Sequence, residues 1–280
     1  MRCFLCGNKD FGTVYTLPQK NIVRCPNDGL FFSQMKTKGK LYGKKYYAAA
    51  PYPKDSNQKY FKDKLETLKK FTGETNPTIL DVGCGWGDFE EVLEKEHYKY
   101  LGIDTDEEAI KICRKKGLNC IKGDINKLLL GGKKGRDGIF RQNLTLKFSA
   151  VIFFQVLEHQ KDPLKFLTSA TKLLKKNGII LITTPNNDSP LRKILGKHWS
   201  VYNEPSHFVF YDLNTLKKVL IKAGLRSIIV RRDNFRKIGL NYILGRLGAN
   251  FNDKLFEQIS LPTDPFGDLT AIARLNQTKS

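Results

Sequence analysis

Short apolar runs alternate with amphipathic stretches from residue 78 to the end of the chain. The runs predict seven strands, at 78–83, 98–104, 119–124, 148–154, 178–184, 226–232 and 269–275. Apolar residues at helical spacing predict helices at 87–96, 106–116, 125–130, 162–176 and 213–224. This alternation is typical of an α/β protein with a mostly parallel, doubly wound sheet and helices on both faces. Because no helix is predicted directly before the last strand, we expect that strand to be antiparallel.

Composition divides the chain into three segments. Residues 1–33 carry three of the six cysteines, and residues 34–74 are rich in Lys and Tyr and end in a helical pattern. The α/β pattern fills 75–280 and includes two long insertions, at 185–212 and 233–267. We expect 34–74 to be a helical linker that covers the α/β domain, and both insertions to form a lid over the substrate.

The chain is strongly basic, with a net charge of +20 over 280 residues. Its 36 Lys outnumber its 12 Arg and are spread through predicted helices, a pattern that favours a solvated lysine-rich surface. An acidic partner such as RNA stays open as an alternative. No apolar run is long enough to span a bilayer, and the first residues lack the apolar stretch of a signal peptide, so we expect a cytoplasmic protein.

The strongest chemical signal is the stretch ILDVGCGWGDF at 79–89, where an apolar strand runs into a glycine-rich turn and then a helix. Glycines at alternate positions let a ligand approach the main chain, and the helix start favours negative charge. Polar residues also end the next three strands, at Asp104, Asp124 and Gln155. Since the carboxyl ends of parallel strands meet at one rim, we expect a nucleotide-like ligand there, with Asp104 accepting hydrogen bonds from ribose hydroxyls.

These motifs, together with GIDTDEEAI, VLEHQKDP and NGIILITTPN, resemble the class I S-adenosylmethionine-dependent methyltransferases, especially the ubiquinone-biosynthesis-type subgroup. The resemblance covers roughly residues 75–230 and implies a Rossmann-like seven-stranded sheet with S-adenosylmethionine as cofactor. It places the glycine turn at the methionine moiety, Asp104 at the ribose and Asp124 with Ile125 at the adenine. The cofactor residues that it implies are Asp81, Gly83, Cys84, Gly85, Gly87, Asp104, Thr105, Asp124, Ile125 and Gln155.

Methyl transfer to oxygen needs a base near neutral pH, and histidine usually supplies it. His207 and His159 are the candidates, although either can instead anchor its loop through local hydrogen bonds. The loop at 196–212 is aromatic and polar, which suits recognition of a small organic or sugar-like acceptor. Its candidate substrate contacts are His198, Trp199, Tyr202 and Asn203.

We therefore expect O-methylation of a small molecule, most plausibly at a sugar or glycan-linked hydroxyl. RNA methylation and a non-catalytic adaptor that keeps the fold are the alternatives. A basic amphipathic pattern at 234–248 predicts a helix that covers the pocket or, less favoured, touches an anionic membrane.

The first segment has the spacing of a zinc ribbon with one substituted ligand. Cys3 and Cys6 form one C-x2-C pair, and Cys25 is followed three positions later by Asp28 instead of a fourth cysteine. Zinc accepts carboxylate oxygen, so three thiolates and one Asp are a sound ligand set. Such ribbons resemble those on sugar and glycan methyltransferases. We expect a structural zinc site, the alternative being a degenerate ribbon that folds without metal.

Overall fold

A computed structural model describes residues 2–36, 54–128, 147–233, 238–239, 260–261 and 267–276. The strands are β1 Gly12–Thr16, β2 Lys20–Arg24, β3 Phe31–Met35, β4 Ile79–Val82, β5 Tyr100–Asp104, β6 Cys120–Lys122, β7 Phe148–Phe154, β8 Leu174–Pro185, β9 Val209–Phe210, β10 Leu225–Asp233, β11 Ile238–Gly239, β12 Ser260–Leu261 and β13 Asp268–Leu275. The helices are α1 Lys54–Thr72, α2 Asp88–Lys95, α3 Glu107–Lys115, α4 Ile125–Leu128, α5 Pro163–Thr171, α6 Pro190–Leu195, α7 Ser200–Asn203 and α8 Leu213–Lys222. A 3-10 turn at Leu157–His159 follows β7.

The central sheet has seven strands in the order β6–β5–β4–β7–β8–β13–β10. The ladders from β6 to β8 are parallel, and β13 runs antiparallel to both β8 and β10. All seven predicted strands and the antiparallel last strand are thereby confirmed. Strand order reverses between β4 and β7, so a crevice opens outside their carboxyl ends, where open α/β sheets bind ligands.

Alternating residues of β7 explain the two layers of helices. Ala150 and Ile152 face a cluster that includes the α1 residues Tyr60 and Leu68, while Val151 and Phe153 face a cluster with residues of α5 and α8. Successive side chains of a strand point to opposite faces, so an unbroken apolar run such as β7 needs cover on both sides. The helical pattern predicted at the end of the 34–74 segment therefore supplies one layer, as α1.

Two predicted helices need correction. The helix predicted at 162–176 ends at Thr171, because Leu174 pairs with Phe148 and begins β8. Sheet pairing overrides the helical propensity of that Lys- and Leu-rich stretch. The helix predicted at 234–248 is wrong at Ile238–Gly239, which pair antiparallel with β12; the rest of it lies outside the described residues. Among the helices that the structure describes, none combines the length and apolar character needed to cross a membrane.

A second, four-stranded sheet ties the N-terminal segment to the loop after β8. Strands β1, β2 and β3 form an antiparallel meander, and β3 pairs with β9 through Phe31–Phe210 and Phe32–Val209. The buried ammonium of Lys20 donates to the carbonyl oxygens of Glu204 and, at 3.2 Å, His207. The ribbon-like segment thus shares a sheet with the loop expected to contact the acceptor.

Candidate functional site

A cavity of about 820 Å³ lies at the carboxyl ends of β4, β5, β6 and β7. Its walls include six of the ten residues predicted to hold the cofactor. These are Gly83, Asp104, Thr105, Asp124, Ile125 and Gln155. The topology brings them together because four consecutive parallel strands end at the same rim.

The glycine turn after β4 forms one wall of this cavity, and its conformation requires glycine. Gly83 has φ +85°, and a Cβ there would lie 2.5 Å from Cγ2 of Val156. Gly87 has φ +81°, and a Cβ there would lie 2.5 Å from Cδ1 of Leu118. Both positions combine a left-handed backbone with close neighbours, so the turn stays thin enough for a ligand to reach the backbone.

Asp104, at the end of β5, fixes the turn and faces the cavity. One carboxylate oxygen accepts the N–H of Gly85 at 3.0 Å and the other accepts the N–H of Asp106 at 2.8 Å. Burial raises the pKa of Asp104, although these backbone donors favour its charged form. Each oxygen keeps acceptor capacity for a further donor, which suits a vicinal diol.

The ends of β6 and β7 complete the rim. Asp124 accepts the N–H of Asn126 at 2.8 Å and so starts α4. Gln155 adopts φ +58°, uncommon for a residue with a side chain, and its amide donates to Asp268 at 2.9 Å. That hydrogen bond links the rim to β13.

Asp81 and Cys84 lie beneath the turn and not on the cavity wall. Asp81 is buried beside the fully buried Glu90 of α2, and burial raises the pKa of Asp81 to about 7. Cys84 is buried beside other thiols. Glu90 was not predicted, because a glutamate in an amphipathic helix reads as a surface residue.

Two histidines meet at the cavity edge. His159 is part of the lining, whereas His207 is buried behind it, with ring centroids 4.6 Å apart. Each Nδ1 donates to a carbonyl oxygen, of Ser206 at 3.1 Å and of Val201 at 3.0 Å respectively. Burial lowers the pKa of His159 to about 4 and lowers that of His207 well below its ordinary value, so both rings are neutral near pH 7.

Glu158 adds an unpredicted carboxyl to this pair. It is 1% exposed, its Oε2 accepts the hydroxyl of Thr184 at 2.9 Å, and burial raises its pKa to about 8. One ligand atom each from Glu158, His159 and His207 lies within 4.8 Å of the others. The LEH motif therefore places an acid and an imidazole side by side at the cavity edge.

The aromatic loop residues occupy different positions from those expected of substrate contacts. Trp199 and Tyr202 are fully buried, with rings 5.0 Å apart, and pack with Ile22 of β2. Asn203 donates to the carbonyl of Trp199 at 3.2 Å, and His198 is exposed. None of the four predicted contacts belongs to the cavity lining. The loop packs on the N-terminal sheet, a partner that its own sequence does not reveal.

The structure brings together the four N-terminal residues predicted as metal ligands. One ligand atom each from Cys3, Cys6, Cys25 and Asp28 lies within 4.8 Å of the others. The thiols of Cys3 and Cys25 lie 2.9 Å and 3.4 Å from Oδ2 of Asp28, and those of Cys6 and Cys25 are 3.5 Å apart. Three sulfurs and a carboxylate converging on one point suit a tetrahedral zinc ion.

Comparison with known proteins agrees with this architecture. A family model for the methyltransferase domain matches residues 53–229. The chain is 30% identical over 125 residues to a ubiquinone biosynthesis O-methyltransferase of Hydrogenovibrio crunogenus, covering 45% of this chain and 49% of that protein. It is 26% identical over 189 residues to an uncharacterised protein of Methanocaldococcus jannaschii, covering 66% and 80%. The chain thus spans about half the length of the ubiquinone-type relatives that it matches.

Solved structures show the same fold. A SAM-dependent methyltransferase from Archaeoglobus fulgidus superposes with a TM-score of 0.52 at 22% identity, covering 77% of this chain and 93% of that one. Magnesium protoporphyrin IX methyltransferase from Synechocystis, with bound SAH, gives 0.51 at 12% identity, covering 86% and 90%. At such identities the likeness concerns the fold alone. With a family match over more than half of its length, the chain belongs to the methyltransferase domain family, and its fold is that of S-adenosylmethionine-dependent methyltransferases of known structure.

Proposed function

We propose that the cavity at the strand ends holds S-adenosylmethionine through the six predicted residues that line it. Asp104 accepts hydrogen bonds from the ribose hydroxyls, Asp124 and Ile125 contact the adenine, and Gly83 lets the methionine moiety approach the backbone. Asp81 is assigned a supporting role beneath the turn. The bound cofactor supplies an electrophilic methyl group, and the chain orients it toward the acceptor.

We infer that the acceptor is a hydroxyl group of a small molecule, and that His159 removes its proton. The observation that carries this proposal is a neutral imidazole in the cavity wall, beside a second imidazole. A neutral ring can accept a proton, and the carbonyl of Ser206 fixes Nδ1 as the donor, which leaves Nε2 as the basic atom. His207, behind it, orients His159. The ubiquinone-type relatives are O-methyltransferases by name, which supports transfer to oxygen.

The test compares three histidine variants. His159→Ala and His207→Ala are expected to lower turnover at least tenfold while the dissociation constant for S-adenosylmethionine stays within about threefold. His198→Ala is the matched control, because His198 is exposed and outside the lining, and its turnover should equal that of the parent. Unchanged turnover in His159→Ala would remove the base from the proposal.

The acceptor class needs its own experiment. The parent chain is assayed with labelled S-adenosylmethionine against catechol- and quinol-type hydroxyls, nucleotide sugars and RNA. Methylation of nucleotide sugars would support the sugar or glycan prediction. Steeply salt-dependent RNA binding with RNA turnover would favour the RNA alternative, to which the net charge of +20 points. A parent chain that binds no cofactor by calorimetry would favour the adaptor and end the enzymatic proposal.

We propose that Cys3, Cys6, Cys25 and Asp28 hold a structural zinc ion. All six cysteines are free thiols, as a cytoplasmic location would favour. Metal analysis of Asp28→Ala is expected to show one zinc ion fewer per chain than the parent. Asp10→Ala removes an exposed carboxylate of the same segment and serves as the control. Equal zinc content in Asp28→Ala and the parent would show that the carboxylate is not a ligand.

A further inference from the structure

Three cysteines from separate elements meet beneath the glycine turn. Cys84 belongs to the turn after β4, Cys113 to the last turn of α3, and Cys120 begins β6. All three are buried, with exposures of 8%, 0% and 4%. Their sulfur atoms lie within 4.8 Å of one another. This thiol cluster is separate from the N-terminal four-ligand group and has no part in the function proposed above.

The thiol cluster packs directly against the backbone of β5 at a glycine. Gly102 lies in the middle of the buried strand β5, where a glycine weakens a strand and often marks a close approach. A Cβ at this position would lie 2.7 Å from the sulfur of Cys120, 3.1 Å from Cβ of Cys84 and 3.0 Å from Oε1 of Glu90. Any other residue would therefore push against the Cys120 sulfur, the Cys84 side chain and the Glu90 carboxyl group where these three meet.

Glu90 gives a second, independent indication. It is 0% exposed, and none of the described N–H or hydroxyl groups lies in hydrogen-bond geometry with either of its oxygens. A buried carboxyl group without donors is costly, and its neighbours here are a second carboxyl group and thiols. A dication at this point would compensate all of these groups, because its charge favours both carboxylate and thiolate.

The spacing also suits a metal–thiolate centre. Zinc binds thiolates at about 2.3 Å, so three sulfurs around one ion lie roughly 3.8–4.0 Å apart. Separations of up to 4.8 Å reach this value with small side-chain rotations. A disulfide would need two sulfurs at about 2.05 Å and would leave the third thiol unused.

We propose that Cys84, Cys113 and Cys120 bind a thiophilic divalent ion of the zinc type, with the Glu90 carboxylate next to the fourth position. Binding forms three metal–sulfur bonds and releases the three thiol protons to solvent, with no change of oxidation state. The ion replaces the hydrogen bond by which the Cys113 thiol donates to the carbonyl of Gly85 at 3.3 Å. It joins the cofactor-facing turn to α3 and β6, so it stiffens that turn from below.

The test titrates the reduced full-length chain with Cd²⁺ and follows the ultraviolet cadmium–thiolate charge-transfer band. The parent is expected to bind two equivalents, one in each cysteine group. Cys25→Ala removes a ligand of the N-terminal group and should keep one equivalent, and Cys120→Ala should also keep one. The double variant should bind none with measurable thiolate absorbance. Zinc titration with a competing chelator should give the same stoichiometries.

Gly102→Ala provides a variant that keeps every thiol but displaces the Cys120 sulfur and its neighbours. It should lose the same equivalent as Cys120→Ala, and circular dichroism checks that each variant is folded. A folded Cys25→Ala chain that binds no Cd²⁺ would overturn the proposal. So would a Cys120→Ala chain with the same stoichiometry as the parent, a comparison that holds even if Cys25→Ala fails to fold.

Discussion

Removing the Asp104 side chain is the sharpest perturbation of the proposed cofactor site. Its two carboxylate oxygens each accept a backbone N–H, at 3.0 Å from Gly85 and 2.8 Å from Asp106, and the residue is 8% exposed. Hydrogen bonds to a charged group contribute about 1.5–3 kcal/mol each, so two bonds to ribose hydroxyls amount to about 3–6 kcal/mol. Asp104→Ala should therefore raise the dissociation constant for S-adenosylmethionine by about 10²–10⁴-fold.

Asp104→Asn removes the negative charge but keeps nearly the same side-chain shape, so it shows how much of the cofactor affinity depends on the charge. It keeps one acceptor oxygen but turns an amide donor toward one of the two backbone N–H groups, so we expect a smaller loss, of about 10–100-fold. Glu107→Gln is the matched control, because Glu107 is an exposed carboxylate three residues away that pairs with Lys122 at 2.9 Å. Its affinity should equal that of the parent.

Isothermal titration calorimetry with S-adenosylmethionine measures these affinities, and thermal unfolding shows that the variants are folded. Because burial raises the pKa of Asp104, affinity should also begin to fall on acidification at a higher pH than for an exposed aspartate. Protonation removes the charged acceptor, so the affinity falls as the pH falls. A folded Asp104→Ala chain that binds within about threefold of the parent would refute the assignment.

Three further predictions concern the turn, the base and the N-terminal sheet. Gly83→Ala should lower the free energy of unfolding by about 2–4 kcal/mol, because residue 83 has a positive φ and the added methyl would contact Val156. In a double-mutant cycle measured by urea unfolding, adding Val156→Ala should recover only the share of this loss that comes from the contact. Since the pKa of His159 is lowered to about 4, kcat/KM should stay flat from pH 7 to about pH 5, and an acid limb near 6.5 would contradict this. Ser33→Ala removes a 2.6 Å hydrogen bond to the carbonyl of His207, so it should lower the free energy of unfolding by about 1 kcal/mol in urea. It should also raise the KM for the acceptor while cofactor affinity stays unchanged. Equal KM values in the variant and the parent would argue against a link between the N-terminal sheet and acceptor binding.

The central sheet was predictable because its inner strands, such as β4, β5 and β7, are buried on both faces and have mostly apolar sequences. The order of motifs along the chain then placed Asp104, Asp124 and Gln155 at one rim, where the cavity lies. Local pattern was sufficient here, since each motif immediately follows the strand that positions it.

What escaped prediction depends on contacts between segments distant in sequence. Trp199 and Tyr202 have the composition of a substrate-binding loop, yet they are core residues because a sheet formed more than 160 residues earlier packs against them. Glu90 looks like a surface residue of an amphipathic helix, but it meets Asp81 beneath the turn. Neither partner leaves a signal in the local sequence.

The pairing of β3 with β9 means that the family region is shorter than the part of the chain that folds as one unit. The matched family region begins at residue 53, whereas the edge of β9 is covered by a strand that ends at Met35. A chain trimmed to the family boundary would lose its partner for Val209 and Phe210 and would uncover the apolar side of the loop that carries Trp199 and Tyr202. Such a fragment would carry an open strand edge beside exposed aromatic surface, a combination that favours self-association. For this chain, the shortest useful polypeptide therefore begins well before the region that defines its family.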